Sequence, residues 1–496
     1  MFSSVAQPQT VRSLLEKIEL GSSVAEFDQA LERYFVETQT FRKLISDQGD
    51  IVAGDKGTGK TALYRILKDR YASIPELAKV EVLPAFNPAG NPVFQHLADA
   101  PVLEEGQYST VWKSYLLSLA GNWILGLWQG AYTDSMVELD EMLSALGLRS
   151  TDDSAEKIFS KIVAWIRHIL NPSSAEVAIT FSDSGMPIVA PVVRYERFKP
   201  EDPGRPFVSH EKALALLDRV LDDADLSIWI VLDRLDEAFV GHRDIERPAL
   251  RALLRTYLDL LAYPRIRLKL FLRNDLFRKI TDGGFVNLTH VNARRIEVRW
   301  DEADLMNLLC RRIRENPDAV SDVAPHANTD QELFSAIFPD QVDTGPQKAK
   351  TWSWIMSRIR DGNHVKPPRN LIDLVKMAQD AQLRREERDP RAFPAEEPLI
   401  EADSLRKALA ALSDQRVQDT LIAEAGEYAP LIERFRSGKA EHNDESLATT
   451  LGVVPGEARS TVKPLVEIGF IEPTGNTFKI PMLYRGGLGI TQGKAF

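Results

Sequence analysis

Apolar residues along this chain occur in short strand-like segments and in longer stretches with helical spacing. Strand candidates lie at residues 50–53, 79–83, 227–232, 267–272 and 295–298, and the run at 228–232 is apolar throughout, which is typical of a strand buried on both faces. Helically spaced stretches lie between them, the clearest at 209–222 and 246–262. Because strands and helices alternate, the pattern predicts an α/β fold with a parallel sheet.

The first 45 residues are predicted to be helical. Val11–Ile18 and Ala25–Phe35 both have amphipathic spacing, and they are joined through Gly21, Ser22 and Ser23. We therefore expect two helices that lead into the first strand.

A long insertion at about residues 87–225 separates the second strand from the third. An aromatic stretch lies at 108–130, and we interpret it as a packed core face rather than a base-stacking platform, because its neighbours are aliphatic. This face consists of Trp112, Tyr115, Leu116, Leu119, Trp123, Ile124 and Leu127. A further helix is predicted at 154–170, and alternating residues near 175–195 predict a β-hairpin.

A complete phosphate-binding loop follows the first strand and precedes a helically spaced stretch. It consists of Gly54, Asp55, Lys56, Gly57, Thr58, Gly59, Lys60 and Thr61. The glycines let successive backbone N–H groups point at one anion, and the following helix adds the positive end of its dipole. Lys60 is expected to reach the β- and γ-phosphates of ATP, and the Thr61 hydroxyl to bind Mg²⁺.

An acidic run closes the strand predicted at 227–232. Asp233 follows that strand directly, at the edge where parallel sheets bind ligands, and we expect its carboxylate to hold Mg²⁺. Glu237, or as the alternative Asp236, is expected to orient and deprotonate the attacking water. The two acids are therefore the candidate catalytic bases of a P-loop ATPase.

Two arginines are candidates for contacts with the phosphates. Arg273 ends the strand predicted at 267–272 and is expected to sense the γ-phosphate. Arg369 follows Pro368 at the start of a predicted helix, so it either reaches the same phosphates from the lid side or belongs to a simple Pro-initiated helix start.

The rest of the chain is predicted to form a lid and a separate C-terminal domain. Helical spacing at 301–315 and 345–383, with a polar stretch between them, predicts a helical lid. A charged, Pro-containing linker is predicted at 384–399. The predicted regions are N-terminal helices at 1–45, a P-loop core at 46–300 that contains the insertion, the lid at 301–383, and a winged-helix domain at 400–496.

The winged helix is predicted from two helices and a two-stranded wing within 445–481. The second helix carries Arg459 and Lys463 but also Glu457 and Glu467, and the region from 400 onward is slightly acidic. Because DNA readers normally present a basic face, DNA is an alternative partner that the sequence does not favour.

Composition narrows the class of protein. The chain has 496 residues, 44% of them apolar, and a formal net charge of −11, so it can form more than one core and carries no excess of positive charge for nucleic acid. Cys310 is its one cysteine, which excludes an internal disulfide framework. No signal peptide or membrane span is predicted, and we expect a cytoplasmic protein.

The order of the phosphate loop, the acidic run 233–237, Arg273 and Pro368-Arg369 resembles that of the STAND-type signalling ATPases, which are relatives of the AAA+ proteins. A group of largely uncharacterised bacterial P-loop ATPases is the most similar. The resemblance implies that Lys60 and Thr61 hold phosphate and metal, that Asp233 supports Mg²⁺, that Glu237 activates water and that Arg273 is the sensor. Family members have a small residue where this chain has Arg234, which puts the local geometry in question.

The sequence and the resemblance together predict a Mg²⁺-dependent ATPase that acts as a conformational switch. The resemblance implies that the winged helix packs on the ATPase as a lever, that a protein partner or a second copy of the chain takes part, and that the setting is bacterial stress or anti-phage defence. The alternatives are a DNA-binding AAA+-type ATPase that uses the winged helix, and an ATP-binding scaffold with little hydrolysis.

Overall fold

The computed structural model describes residues 9–86, 104–150, 179–181, 187–189, 209–235, 237 and 243–491. The strands in these ranges are β1 (Ile51–Gly54), β2 (Val80–Phe86), β3 (Ile179–Phe181), β4 (Pro187–Val189), β5 (Ser227–Leu232), β6 (Ile266–Arg273), β7 (Arg295–Glu297), β8 (Glu441–His442), β9 (Glu472–Thr474) and β10 (Thr477–Lys479). None of the helices in the same ranges is long and apolar enough to cross a membrane.

The helices fall into an N-terminal set, a core set, a lid set and a C-terminal set. They are α1 (Val11–Glu16), α2 (Gln39–Ile45), α3 (Lys60–Arg70), α4 (Glu105–Leu127), α5 (Asp134–Ala145), α6 (His210–Asp223), α7 (Arg243–Leu260), α8 (Asn274–Thr281), α9 (Leu288–Ala293), α10 (Glu302–Arg314), α11 (Pro317–Val323), α12 (Asp330–Ile337), α13 (Thr351–Arg358), α14 (Pro368–Glu386), α15 (Ala402–Arg416), α16 (Ala423–Ala425), α17 (Ala429–Glu433), α18 (Asp444–Leu451), α19 (Ala458–Glu467) and α20 (Met482–Arg485).

Within the described residues, the central sheet has five parallel strands in the order β2-β5-β6-β1-β7, which confirms the predicted α/β fold. Since all five strands run in one direction, their carboxyl ends share one edge. β6 lies between β1 and β5, so the ends of these two strands are roughly 10 Å apart at the usual strand spacing. The phosphate loop and the acidic run leave the sheet at this same edge.

Side chains of β5 alternate between the two faces of the sheet. Ile228, Ile230 and Leu232 belong to the core cluster under α4, α6 and α7. Trp229 and Val231 belong to the opposite cluster, which contains α3. A strand buried on both faces explains the continuous apolar run from which it was predicted.

The insertion agrees with its prediction where the structure describes it. Antiparallel pairing of β3 with β4 confirms the hairpin for residues 179–181 and 187–189, whereas the predicted helix 154–170 lies outside the described residues. Most of the aromatic face on α4 is buried, as predicted. Trp123 and Leu127 are the exceptions, because they are 39% and 43% exposed.

The predicted helix Ala25–Phe35 is wrong. Only a short 3-10 turn, Ala25–Phe27, forms there, and turns follow it. The Asp28 carboxylate is buried and accepts hydrogen bonds from the Tyr34 hydroxyl and the Arg312 guanidinium. Arg65 donates to the backbone oxygens of Ala25 and Asp28, so tertiary contacts replace the helical ones.

The lid also departs from its prediction in three places. The helix expected over 345–383 is interrupted between α13 and α14, where the Asp361 carboxylate accepts hydrogen bonds from the backbone N–H groups of Asn363 and Val365. The polar stretch before it contains two helices, α11 and α12. Pro317 is the first residue of α11, and Thr329 caps the amino end of α12. The predicted linker starts too early, since α14 continues to Glu386.

The C-terminal region contains the predicted winged helix. Helices α18 and α19 precede the hairpin β9–β10, and β10 also pairs with β8 in a three-stranded antiparallel sheet. The core of the lid continues into this region without a break, from Leu371 on α14 through Leu405 on α15 to Leu465 on α19. The predicted domain boundary at 400 stays a prediction, and the packing across it is continuous.

Candidate functional site

The phosphate loop connects β1 to α3 with the geometry expected of an anion cradle. Gly57 and Gly59 have φ angles of 76° and 97°, in the left-handed region that glycine adopts without strain. Gly59 is the N-cap of α3, so the amino end of this helix opens directly onto the loop. The loop therefore directs backbone N–H groups and the positive helix end toward one place.

Lys60 and Thr58 hold the loop in shape. The Lys60 ammonium donates to the backbone oxygens of Gly54 and Asp55, each at 3.0 Å. The Thr58 hydroxyl donates to the Asp55 oxygen at 2.8 Å, and the Thr58 side chain is buried. The ammonium group is thus held against the backbone of the loop.

An open cavity lies over the loop. Its walls come from the loop and α3, from the N-terminal segment and from the lid. The lining residues include Ser22, Glu26, Tyr34, Val36, Gly57, Gly59, Lys60, Thr61, Val298, Trp300, Leu308, Arg312, Arg369 and Ile372.

Trp300, which the sequence analysis did not single out, joins the loop to the lid. Its indole N–H donates to the Thr58 backbone oxygen at 2.7 Å. The ring also packs against Val36, Leu308 and Ile372, which come from the N-terminal segment and the lid. No local pattern marks this residue, because its partners are distant in sequence.

Arg369 lies over the phosphate loop from the lid side. A Cβ placed on Gly57 would lie 3.3 Å from the Cβ of Pro367 and 3.4 Å from the Cβ of Arg369. The Arg369 Nε atom is buried and makes no hydrogen bond within the described part of the chain. Burial lowers the pKa of the Arg369 guanidinium, and Asp373 opposes this shift. A desolvated cation of this kind fits an anionic ligand.

The Pro-initiated helix start is confirmed, whereas contact of Arg369 with phosphates stays a prediction. Pro368 is the first residue of α14, and Arg369 lines the cavity. The helix start therefore positions the arginine.

The acidic run lies at the sheet edge, with its members in different settings. Asp233 directly follows β5 and is only 4% exposed. Asp236 lies outside the described residues. The side chain of Glu237 is 47% exposed and lies in a turn closed by its backbone N–H, which donates to the Arg234 oxygen at 3.0 Å.

Arg273 lies beside the loop but does not line the cavity. Its backbone pairs in register with Gly54 on the neighbouring strand. Its guanidinium donates two hydrogen bonds to Asp275, at 3.0 and 2.9 Å. A role as γ-phosphate sensor stays a prediction.

The loop between α13 and α14 connects the site to the winged helix. The Gly362 backbone N–H donates to the Gly469 oxygen at 2.7 Å, and Arg360 pairs with Glu472 at 3.2 Å. Burial raises the pKa of Asp361 in this loop to about 7. Repulsion from Asp55 also raises the pKa, whereas the hydrogen bonds that Asp361 accepts from backbone N–H groups lower it. One short segment therefore faces both the phosphate loop and the winged helix.

Among known proteins, the chain is similar to solved structures at low sequence identity. No protein-family model matches the sequence, and no curated protein gives a significant match. Two solved structures align along nearly the whole chain. The Aeropyrum pernix ORC1 protein in complex with DNA is 14% identical, with a TM-score of 0.33 over 94% of this chain and 96% of that chain. The Aeropyrum pernix ORC2 protein in ADPNP-ADP complexes is 13% identical, with a TM-score of 0.37 over 98% of this chain and 95% of that chain.

At such low identities and TM-scores the likeness says nothing about what this chain binds. The α/β class and the winged helix are established by the strand order and the hairpin described above. Membership of the STAND group and a bacterial source stay predictions.

Proposed function

We propose that this chain binds ATP with Mg²⁺ in the cavity over the phosphate loop and hydrolyses it to drive a conformational switch. One observation carries the proposal. Loop glycines, Lys60 and the partly buried Arg369 converge on one cavity, and the acidic run leaves the sheet at the same edge. The phosphates of ATP carry the negative charge that Lys60 and Arg369 would bind.

The residues present fit a magnesium ion as well as phosphate. Thr61 offers a hydroxyl oxygen beside the loop, and Asp233 offers a carboxylate at the end of β5. Hard oxygen donors of this kind are the ligands that Mg²⁺ prefers, usually together with substrate phosphates. When bound, the ion would neutralise charge on the phosphate oxygens.

The chain's own groups would perform the remaining tasks. Loop N–H groups and Lys60 hold the β- and γ-phosphates, and Arg369 approaches the γ-phosphate from the lid. Glu237, or Asp236 as the alternative, orients a water molecule and takes its proton. Hydrolysis then removes the phosphate that Arg369 contacts, which would release the lid.

The direct test of this function is turnover by the unmodified chain. Phosphate release from ATP should require Mg²⁺ and stop in EDTA, and equilibrium titration should show one nucleotide per chain. Absence of both binding and phosphate release would overturn the proposal, whereas binding without release would favour the ATP-binding scaffold. The predicted stress or defence setting rests on the resemblance alone.

Replacing Arg369 with alanine should weaken ATP binding by about tenfold or more and leave ADP binding nearly unchanged. A charged hydrogen bond to phosphate contributes about 1.5–3 kcal/mol, and about 1.4 kcal/mol corresponds to a tenfold change in affinity. The measurement is a pair of titrations, with ADP and with a slowly hydrolysed ATP analogue.

Arg299→Ala is the matched control for that experiment. Arg299 lies between two lining residues, Val298 and Trp300, but its side chain is 80% exposed and pairs with Glu297. This variant should keep both affinities. Equal loss of ATP and ADP affinity in Arg369→Ala would contradict a contact with the γ-phosphate.

The winged helix is proposed to act as a lever that follows the lid. The contacts of Gly362 and Arg360 connect the winged helix to the loop between α13 and α14, which also faces the phosphate loop. Switching a two-state element from mostly one state to mostly the other takes about 5 kcal/mol of differential binding. Several charged contacts to a γ-phosphate are of that order.

Replacing Gly362 with alanine should separate the lever from the lid. The added Cβ would lie 2.9 Å from the backbone oxygens of Gly469 and Ile471, and backbone cannot move aside as a side chain can. We expect ATP affinity within about threefold of the unmodified chain, since a remote wedge removes no phosphate contact. The ATP-dependent change in hydrogen exchange across residues 441–479 should be lost.

Gly456→Ala is the control for the lever, because no atom of the described residues lies within 4 Å of a Cβ at Gly456. This variant should retain the ATP-dependent change in exchange. If Gly362→Ala retained it too, the loop between α13 and α14 would not transmit the signal.

DNA is the second candidate partner, and the winged-helix fold itself is the observation that favours it. The basic residues of α19 are, however, balanced by acids. Arg459 pairs with Asp444 at 2.9 Å, and Lys463 lies 4.0 Å from Glu467. We therefore favour a protein partner or a second copy of this chain.

The DNA alternative predicts tight duplex binding that weakens steeply with salt, and faster ATP turnover when DNA is present. Anisotropy titrations at 50 and 200 mM salt, together with turnover assays, distinguish the two partners. Our proposal expects weak duplex binding and unchanged turnover.

A further inference from the structure

Arg234 occupies a backbone position that an arginine adopts only under constraint. It directly follows Asp233, and its φ angle is 56°, in the left-handed region. A non-glycine residue in this region costs on the order of 1 kcal/mol. The surrounding contacts therefore have to hold the residue in place.

Its guanidinium bridges two carboxylates that come from different parts of the chain. One nitrogen donates to Glu26, and the other lies 3.4 Å from the Glu237 carboxylate. The Arg234 side chain is 22% exposed and that of Glu26 is 28% exposed, so this pair is largely shielded from solvent. The planar fork of arginine suits such a bridge.

Glu26 belongs to the wall of the nucleotide cavity. It lies in the 3-10 turn Ala25–Phe27, and both Ala25 and Glu26 line the cavity. Arg65 on α3 donates to the Ala25 backbone oxygen, which fixes this turn against the helix that follows the phosphate loop. A continuous chain of contacts thus leads from the cavity wall through Arg234 to Glu237.

We propose that Arg234 is a positioning residue that fixes the Glu237 carboxylate relative to the bound nucleotide. The inference rests on the proposed function, in which Glu237 orients the attacking water. A half-exposed glutamate has several rotamers, and a base displaced by about 1 Å can lose much of its effect. The ion pair with Glu26 restricts Arg234, and Arg234 in turn restricts Glu237. Arg234 therefore supports the acidic run through its contact with Glu237.

The test separates nucleotide binding from turnover in single variants. Arg234→Ala should lower kcat by about tenfold or more and change the dissociation constant for ATP by less than about threefold. Arg234→Lys, which keeps the charge but loses the fork, should recover part of the lost kcat. Glu26→Gln should lower kcat in the same way as Arg234→Ala.

A double variant and an inactive reference complete the test. Arg234→Ala combined with Glu26→Gln should be no slower than Arg234→Ala alone, since both changes break one chain of contacts. An unchanged or raised kcat in Arg234→Ala, with Glu237→Gln inactive, would overturn this inference and leave the ATPase intact. If Glu237→Gln retained full turnover, the assigned base would be wrong instead.

Discussion

Replacing Lys60 with alanine is expected to weaken ATP binding by about 100-fold or more. The ammonium would bridge the β- and γ-phosphates, and two charged hydrogen bonds at about 1.5–3 kcal/mol each exceed the roughly 2.8 kcal/mol that a 100-fold change requires. Isothermal titration or a fluorescent nucleotide measures the effect directly.

Lys68→Ala is the matched control for that variant. Lys68 lies on the same helix, α3, and its side chain is 43% exposed beside Asp69. The control should bind ATP as the unmodified chain does. Thermal unfolding of both variants separates a lost contact from a lost fold, because Lys60 also donates to the loop carbonyls. An unchanged dissociation constant for ATP in Lys60→Ala would show that the nucleotide does not bind at residues 54–61.

Replacing Glu237 with glutamine should stop turnover while ATP still binds. The amide has nearly the shape of the carboxylate but cannot take a proton from water, and general-base catalysis contributes roughly 10²–10⁴-fold. Single-turnover phosphate release should fall by at least about 100-fold, with an ATP dissociation constant within about threefold of that of the unmodified chain.

Asp236→Asn decides between the two candidate bases. If it abolishes turnover and Glu237→Gln does not, Asp236 is the base. Glu138→Gln serves as the control, because Glu138 is exposed on α5 and pairs with Arg219 far from the acidic run in sequence. Full turnover in both acidic-run variants would exclude this run from catalysis. The ATP-loaded Glu237→Gln protein is also suited to capture a partner from cells.

The sheet could be predicted from sequence because its signal is local. Strand β5 coincides with the apolar run at 227–232, since a strand covered on both faces must be apolar at every position. The phosphate loop was equally clear, because its chemistry requires fixed residue types within eight positions. The order of the strands was not predicted, since it depends on pairings between distant segments.

The errors occurred where tertiary contacts override periodicity. The spacing in 25–35 favours a helix, but buried Asp28 binds Arg312, almost 300 residues away, and the segment forms turns instead. Lid helix α13 ends before the loop in which Asp361 binds backbone N–H groups. The hydrogen-bond partners of Asp28 and Asp361 cannot be recognised in the local sequence.

The phosphate loop and Arg369 could be singled out from the sequence, whereas Trp300 in the cavity wall could not. The roles of the loop and of Arg369 in nucleotide binding stay predictions. Trp300 was missed because its contacts with Thr58 and with the lid carry no motif. Arg234 was noticed only as a departure, and its partner Glu26 lies about 200 residues earlier in the chain. Side chains that act through partners distant in sequence require coordinates.

A crystal structure with Mn²⁺ and a non-hydrolysable ATP analogue tests the central claim most directly. Mn²⁺ replaces Mg²⁺ on oxygen ligands, and its anomalous signal locates the ion. We expect the triphosphate on residues 54–61 and a manganese peak between the Thr61 hydroxyl and the Asp233 carboxylate. A peak remote from Asp233, or a nucleotide bound outside the cavity, would contradict it.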